Sequence, residues 1–385
     1  MQTIALIGSD MKAEYIAQHA KKMGIRTICF AWEKGAITDD AVDCFYPISI
    51  FEKDKILEIC IKEQINGVMP TTELTIPIAA FIAHSMGLNG NDPEIMNNIT
   101  SKNWVRSKLT DTKYIKQPIY QYITSPAQIN NMADIIFPVV VKPAAEGGKR
   151  GINVVNNKKE LAFALETAFS VDKRGHGVIV EQYLDHGMEC SVEGLSYHGW
   201  HQIIQVTQNI CSGPPHCVEL GHSQPANIPI ETRNLIISAV IELLDKTSFM
   251  NGATCTEVKI VDGKVYLIEL NSRFGGDGIA YPLTILSTGY DYISETIKAS
   301  MDIKPQRRDE NTHVRYSGLR FVTEQTEYLR QVFDKCDNKE WLYEKNYIGD
   351  DLHELTHNDM AHVNYFIYSS NERLVFEGEE IYENF

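Results

Sequence analysis

Thr256-Glu257-Val258-Lys259-Ile260-Val261-Asp262-Gly263-Lys264-Val265-Tyr266-Leu267-Ile268-Glu269-Leu270-Asn271-Ser272-Arg273-Phe274-Gly275-Gly276 reads as two strand-like runs flanking an Asp-Gly turn. A carboxylate, Glu257, opens the first run; a carboxylate, an amide and a guanidinium, Glu269, Asn271 and Arg273, close the second. Oxygen ligands of this kind suit Mg²⁺, which favours carboxylates together with substrate phosphates. The planar fork of Arg273 suits a phosphate or a carboxylate. The combination points to nucleotide-dependent chemistry.

Geometry tests the idea. Side chains alternate faces along a strand, so Glu269, Asn271 and Arg273 share one face of the second run. A strict two-residue turn at Asp262-Gly263 would pair Val261 with Lys264 and set Glu257 opposite Ile268, facing away from Glu269. A three-residue loop, Val261-Asp262-Gly263, would instead bring Glu257 onto the Glu269 face. A β-bulge would do the same. A single metal cluster requires one of these two. The plain alternative is an amphipathic hairpin with solvated acids, but Ile268 and Leu270 would fill its apolar face and leave Glu, Asn and Arg clustered on the other.

Upstream, residues 3–7 read as a buried strand ending at Gly8, followed by a helical stretch through Lys22 and a strand over 26–31. A helix over 56–64 leads to Gly67-Val68-Met69-Pro70. This alternation predicts a doubly wound parallel sheet over residues 1–95. Its first turn, Gly8-Ser9-Asp10-Met11-Lys12, lacks GxGxxG and so lacks a dinucleotide fingerprint. A short helix over 101–109 carries Lys102. An apolar strand over 137–142 ends in Lys142, and Gly147, Gly148 and Gly151 follow at once. Their backbone N–H groups can turn inward around a phosphate while Lys142 supplies a point charge. A flexible hairpin loop is the bland reading, and no Walker sequence is present. Further elements are a returning strand over 153–155, a helix over 158–169, a strand over 178–180 ending in Glu181-Gln182-Tyr183-Leu184, and strands within 313–323 and 361–368.

Taken in order, these parts resemble the ATP-grasp superfamily, and within it the carboxylate–amine ligases that join amino acids. The resemblance covers about residues 1–305. It implies an α/β and α+β fold: an N-terminal doubly wound parallel sheet domain (1–95) followed by a two-subdomain ATP-grasp core. The small subdomain with the glycine flap spans 96–184. The large subdomain spans 185–385 and includes a mixed C-terminal extension. The resemblance assigns Lys102 and Lys142 to the nucleotide phosphates, Gly147, Gly148 and Gly151 to a mobile flap, and Glu181, Gln182, Tyr183 and Leu184 to the adenine-reading hinge. It places Glu189 near the ribose. Glu257, Glu269 and Asn271 become ligands of two Mg²⁺ ions, which Mn²⁺ can replace, and Arg273 steadies the transferred phosphoryl group. Lys142 and His222 join Arg273 as catalytic groups, and Glu219, His222, Arg273, Gly275 and Gly276 face the substrates. Lys149-Arg150 departs from the small residue that many relatives carry in the flap. The implied partners are small carboxylate and amine substrates, and a homodimer through the N-terminal domain.

Residues 209–229 look too irregular for a helix and too polar for a core strand, and are expected as a substrate loop around Glu219 and His222. A plain loop is one alternative; a zinc site of Cys211, His216, Cys217 and His222 is another, though its spacing matches no common site. His353-Glu354-Leu355-Thr356-His357 satisfies HExxH, but it lacks a long apolar stripe and a third ligand, and is read as a chance match on a short surface helix. No GxSxG elbow is present.

The chain has 385 residues, 43% hydrophobic and 23% charged, which is ordinary for a globular protein of two or three domains. A net charge of −15 argues against nucleic-acid backbones and anionic membrane as partners. No apolar run approaches membrane-spanning length and no secretory signal is evident. Eight scattered cysteines fit free thiols in a reducing cytoplasm. The leading reading is ATP-dependent amide formation through an acyl phosphate. A bicarbonate-using carboxylase and a non-catalytic nucleotide-binding protein are the rivals.

Overall fold

Strand β1 (Thr3–Ile7) is buried at every position, as a parallel strand covered on both faces should be. With β2 (Arg26–Ala31), β3 (Cys44–Pro47) and β4 (Gly67–Pro70) it forms an all-parallel sheet of order β3-β2-β1-β4. The computed structural model describes residues 1–33, 40–131, 135–172, 175–309, 315–358 and 360–379. Helix α1 (Met11–Lys22) starts where the Asp10 carboxylate accepts from Lys12 N at 3.0 Å and Ala13 N at 3.2 Å, a standard N-cap. On one face of the sheet, Ile16 and Leu6 pack with Ile293 and Ile297 of the helix Tyr292–Ser300, which joins this layer to the rest of the molecule. On the other face, α2 (Lys53–Glu63) and α3 (Ile76–Met86) bury Ile56, Cys60, Ala79 and Ile82 against Ala5, Ile7 and Ile28.

Helices α4 (Pro93–Ile99) and α5 (Lys102–Ser107) follow. Helix α5 is six residues long and capped by Ser101. Its Lys102 and Arg106 are four residues apart and so lie on one face. Strand β5 (Ile115–Lys116) runs parallel to Val265 and Tyr266 at the edge of the largest sheet. Next comes an antiparallel sheet of order β6-β9-β7-β8, formed by β6 (Tyr120–Ile123), β7 (Val139–Pro143), β8 (Asn153–Val155) and β9 (Val178–Gln182) and backed by α6 (Lys158–Val171). The glycine loop joins β7 to β8.

The nine-stranded sheet has the order β16-β17-β15-β12-β11-β10-β13-β14-β5. Its strands are β10 (Met188–Tyr197), β11 (Trp200–Cys211), β12 (Glu219–Gln224), β13 (Gly252–Val261), β14 (Lys264–Asn271), β15 (Tyr316–Val322), β16 (Leu342–Asn346) and β17 (Asn364–Ser370). Helix α7 (Ile230–Lys246) covers one face, burying Ile236, Val240, Leu243 and Leu244 against Val192, Val206, Val258 and Ile260. Strands β15 to β17 extend this sheet directly from β12, so the C-terminal residues are continuous with it.

Two expectations are corrected here. Residues 209–229 are not one irregular loop: 209–211 end β11, and Glu219–Gln224 is a strand buried at all six positions in the middle of the sheet. Its polarity misled because Gln224, Ser223 and Asn209 satisfy their groups internally, for example Gln224 Nε2 to Thr207 Oγ1 at 2.9 Å. Residues 353–357 form no helix; they run as an irregular strap, so HExxH does not align its histidines. All eight cysteines are free thiols. Among the described residues no helix is long and apolar enough to cross a membrane.

Candidate active site

The hairpin of β13 and β14 pairs Val261 with Lys264, so its turn is the two-residue Asp262-Gly263, with φ of 49° and 69°. Left-handed values at both positions are those of a type I′ turn. Alone, this turn would set Glu257 opposite Ile268. The register shifts between Glu257 and Val258, however: Val258 faces Leu267, Glu257 faces Glu269, and Ile268 is the extra residue of a bulge. The bulge's carbonyls need donors, and Arg106, 1% exposed, supplies them. Its Nη1 donates to Leu267 O at 3.2 Å and its Nη2 to Ile268 O at 3.3 Å. Nη2 also lies 2.7 Å from Glu181 Oε2 in a buried ion pair.

Glu181, next to last in β9, turns its side chain inward, where it pairs with Lys142 as well as Arg106. Burial opposes its charge, but the two cations outweigh that and hold its carboxyl below the usual range. Lys142 moves the other way for its type: burial, then Arg106 and Lys102, lowers its pKa despite Glu181. Burial is the largest cause in both cases: neighbouring cations reinforce it at Lys142 and override it at Glu181. Lys102 completes the group, its Nζ 2.9 Å from Glu269 Oε1 and 3.1 Å from Glu146 O.

The opposite end is acidic. Lys149 Nζ lies 3.5 Å from Glu257 Oε2, and Lys259 Nζ lies 3.3 Å from Glu189 Oε1, whose Oε2 accepts from Cys211 Sγ at 3.3 Å. Lys149 holds a left-handed φ of 59° next to Gly148 at 69°, a tight pair that aims the lysine back into the cleft. Burial, with Glu257, Asp277 and Glu189 nearby, raises the Glu219 carboxyl to about 8. His222 is fully buried behind Glu219, its Nε2 3.7 Å from Glu219 Oε2, and burial plus Arg320 lower it to about 3, so it is neutral. It does not line the cavity.

Between these ends lies a cavity of about 460 Å³ lined by Lys102, Lys142, the flap residues 146–150, Glu219, Glu257, Glu269, Arg273, Gly276 and Asp277. Arg273 Nε donates to Glu73 Oε1 at 2.9 Å, and Nη1 to Phe274 O at 2.7 Å. Burial works against the Glu73 charge, but Arg273 overrides it and lowers the carboxyl to about 2. Gly275 N donates to Glu193 Oε2 at 3.2 Å, and a Cβ at Gly275 would stand 2.4 Å from Glu193 Oε1. That position therefore has room only for glycine.

The other expected residues are placed less directly. Asn271 is buried two residues beyond Glu269 and is not on the cavity wall. In the hinge, Gln182 N donates to Ile119 O at 2.8 Å and Tyr183 N to Pro138 O at 3.2 Å, so these two amides are already spent. Gly147 closes against Glu73, whose Oε1 would lie 3.1 Å from an added Cβ. Cys211, His216, Cys217 and His222 do not converge; among the described residues the group with metal-ligating potential is Glu219, His222 and Asp277, within 4.8 Å of one another.

Arg106, Glu73, Glu193 and Asn358 escaped the sequence reading. Glu73 carried a usable signal, since it lies three residues past Pro70, the carboxyl end of a parallel strand, where open α/β sheets place ligand contacts. Arg106 sits one turn beyond Lys102, which was singled out.

Residues 135–281 match the model of the ATP-grasp domain. Pyruvate carboxylase of Aspergillus terreus is 28% identical over 167 residues, which is 42% of this chain and 14% of that protein. The C-terminal section of the carbamoyl phosphate synthase large chain from Methanopyrus kandleri is 22% identical over 313 residues, 73% of this chain and 55% of that one. The chain thus spans well under two thirds of these curated relatives. Among solved structures, L-amino acid ligase from Bacillus licheniformis superposes with a TM-score of 0.82 at 22% identity, covering 97% of this chain and 94% of that one. N5-carboxyaminoimidazole synthetase from Staphylococcus aureus, complexed with ADP, gives 0.73 at 15% identity over 96% and 94%.

Proposed function

We propose that this chain, a member of the ATP-grasp superfamily through residues 135–281, is an ATP-dependent carboxylate–amine ligase that works on amino-acid substrates through an acyl phosphate. One observation carries the reading: a single cavity has surplus cations at one end, a carboxylate-rich end opposite, and the bulge-paired Glu257 and Glu269 between them. That is the charge pattern a nucleotide triphosphate and an ammonium-bearing acid would need.

Mg²⁺ fits the residues present. Glu257 and Glu269 face each other across the strands, and each is met by a lysine ammonium, so the pair demands positive charge. Glu257, Glu269 and, through side-chain adjustment, Asn271 would hold the ion or ions, whose contribution is to neutralise phosphate charge. Lys102 and Lys142 would bind the polyphosphate, and the flap amides would close over it and exclude water. Arg273 would leave Glu73 to meet the transferring phosphoryl group. A substrate carboxylate oxygen attacks the γ-phosphorus as its bond to the β–γ bridging oxygen breaks, releasing ADP. The amine nitrogen then attacks the acyl carbon, the bond to phosphate breaks, and the amine loses a proton. No protein nucleophile is required.

The test is an ADP-release screen over pairs of amino acids and other acids and amines, with mass analysis of the products. ADP release with an amide product supports the reading. ADP release stimulated by bicarbonate without any amine would replace it with a carboxylase, the activity named for the Aspergillus relative. No ADP release from any pair would overturn the enzymatic reading.

A further inference from the structure

His357 and Asn358 lie on the wall of the cavity, although they belong to the C-terminal extension and not to the hairpin, the flap or the hinge. They end the strap that contains the HExxH match. The strap is moored at Leu355, whose N–H donates to Gln325 Oε1 at 3.0 Å while Gln325 Nε2 donates to Leu355 O at 2.8 Å. From there Asn358 makes a double contact with Glu219. Its Nδ2 donates to Glu219 Oε2 at 3.1 Å, and its Oδ1 accepts from Glu219 N at 3.2 Å. Its own backbone N–H points to Gly148 O in the flap at 3.4 Å.

What Glu219 faces can be read from a proton count. Asn209 Nδ2 donates to Ser191 Oγ at 2.9 Å, so Asn209 Oδ1 is the acceptor for His222 Nδ1 at 3.1 Å. The neutral imidazole must therefore carry its proton on Nδ1 and present a bare lone pair at Nε2. That Nε2 is buried and has no hydrogen-bond partner. Glu219 and Asp277 stand between it and the cavity, and one ligand atom from each of the three lies within 4.8 Å of the others. A substrate ammonium in the cavity would meet the Glu219 and Asp277 carboxyls, with His222 behind them, and would favour their ionised form.

We infer that the strap completes the acid-substrate end of the cavity, with Asn358 a positioning residue that fixes Glu219 for a substrate ammonium and ties it to the flap. This rests on the ligase reading above for its substrate, but the tie between strap and flap does not. It also gives the C-terminal extension a role, since the strap joins β16 to β17 and brings His357 and Asn358 to the cavity wall. The acid substrate is accordingly an amino acid rather than a simple carboxylate.

Two variants test it on the full chain. Asn358→Ala removes both side-chain contacts. Asn358→Asp keeps the acceptor for Glu219 N but sets a carboxylate against Glu219 Oε2. Both should raise the KM of the most active amino acid in the ADP-release screen about tenfold, the loss expected when a hydrogen bond to a charged group goes. The KM for ATP should rise less than that for the amino acid, and the thermal midpoint should stay as in the wild type. A wild-type KM for Asn358→Asp would reduce Asn358 to a backbone cap and overturn the positioning role. A most active acid without an amino group would overturn the ammonium assignment, as would Zn²⁺ or Mg²⁺ binding that Glu219→Gln abolishes without any effect on amino-acid use. The second readout needs no turnover: trypsin cleavage after Lys149 or Arg150 in the flap should be several-fold faster in Asn358→Ala and in Gln325→Ala, which frees the strap remotely. Unchanged cleavage in both variants would overturn the tie even if the ligase screen finds no product.

Discussion

Replacing Glu193 with glutamine should make the protein's stability less sensitive to pH by an amount that can be worked out in advance. The Glu193 side chain is fully buried near Cys255 and Tyr292, and its Oε2 accepts from Gly275 N. Burial therefore raises its pKa from 4.5 to about 7, against weaker opposing contributions from Cys255, Gly275 and Arg273. A raised folded-state pKa means that the neutral acid favours folding at low pH and that this advantage is lost as pH climbs through about 7. Integrated over the two titrations, ionisation stabilises the unfolded chain over the folded one by ~0.8 kcal/mol at about pH 5 and ~3.3 kcal/mol at about pH 8. Glutamine has nearly the same shape, keeps an acceptor for Gly275 N, and does not titrate. Whatever its constant effect, the wild type should lose about 2.5 kcal/mol relative to Glu193→Gln between those pH values. Urea unfolding of both proteins at the two pH values measures the difference directly. Parallel pH dependence of the two curves would refute the reasoning, because it would mean that Glu193 is not held neutral by burial.

Other perturbations follow from the same geometry. Glu269→Ala or Arg273→Ala should cut ADP release at least about 100-fold in a protein that still unfolds cooperatively; full turnover by either would sink their assignment. Arg106→Met should lower stability by about 3–5 kcal/mol in urea titration, because Glu181 is left buried with one cation and the bulge carbonyls lose their donors; a loss below about 1 kcal/mol would show that the bulge does not depend on the guanidinium. Lys149→Met should tighten Mg²⁺ binding several-fold, read by calorimetry in the presence of a non-hydrolysable ATP analogue, because a competing ammonium leaves Glu257; unchanged affinity would place Lys149 outside the metal's way.

Much of the frame was legible because it is periodic. The run over residues 3–7, the Lys22 helix end and the apolar strand before Lys142 all announce themselves through hydrophobic pattern and glycine punctuation. The candidate site was legible where one residue type in one place has few uses, as with Glu257, Glu269 and Lys142. Strand β12 was missed because its polar side chains pair inside the sheet, and pattern reading counts polarity without seeing partners. Arg106 was missed for a related reason: a buried arginine on a short helix looks like any surface arginine until its carbonyl partners, 161 and 162 residues away, are in view. Asn358 shows the same limit, 139 residues from Glu219.

The bulge at Ile268 has a use for anyone wishing to modify the protein. It lies on the cleft side of the hairpin, so the correction that brings the two carboxylates together is complete before the strands reach the turn. The segment between bulge and turn pairs in plain register, Val258 with Leu267 through Val261 with Lys264, and Asp262 at its tip is exposed. A reporter peptide or a small folded insert placed between Asp262 and Gly263 would hang from the rim of the sheet, where β10 and β5 brace the hairpin as far as Ile260 and Val265, and the spacing of Glu257 and Glu269 would not register its arrival. The hairpin is thus a handle whose far end can be rebuilt while its grip on the cleft stays the same.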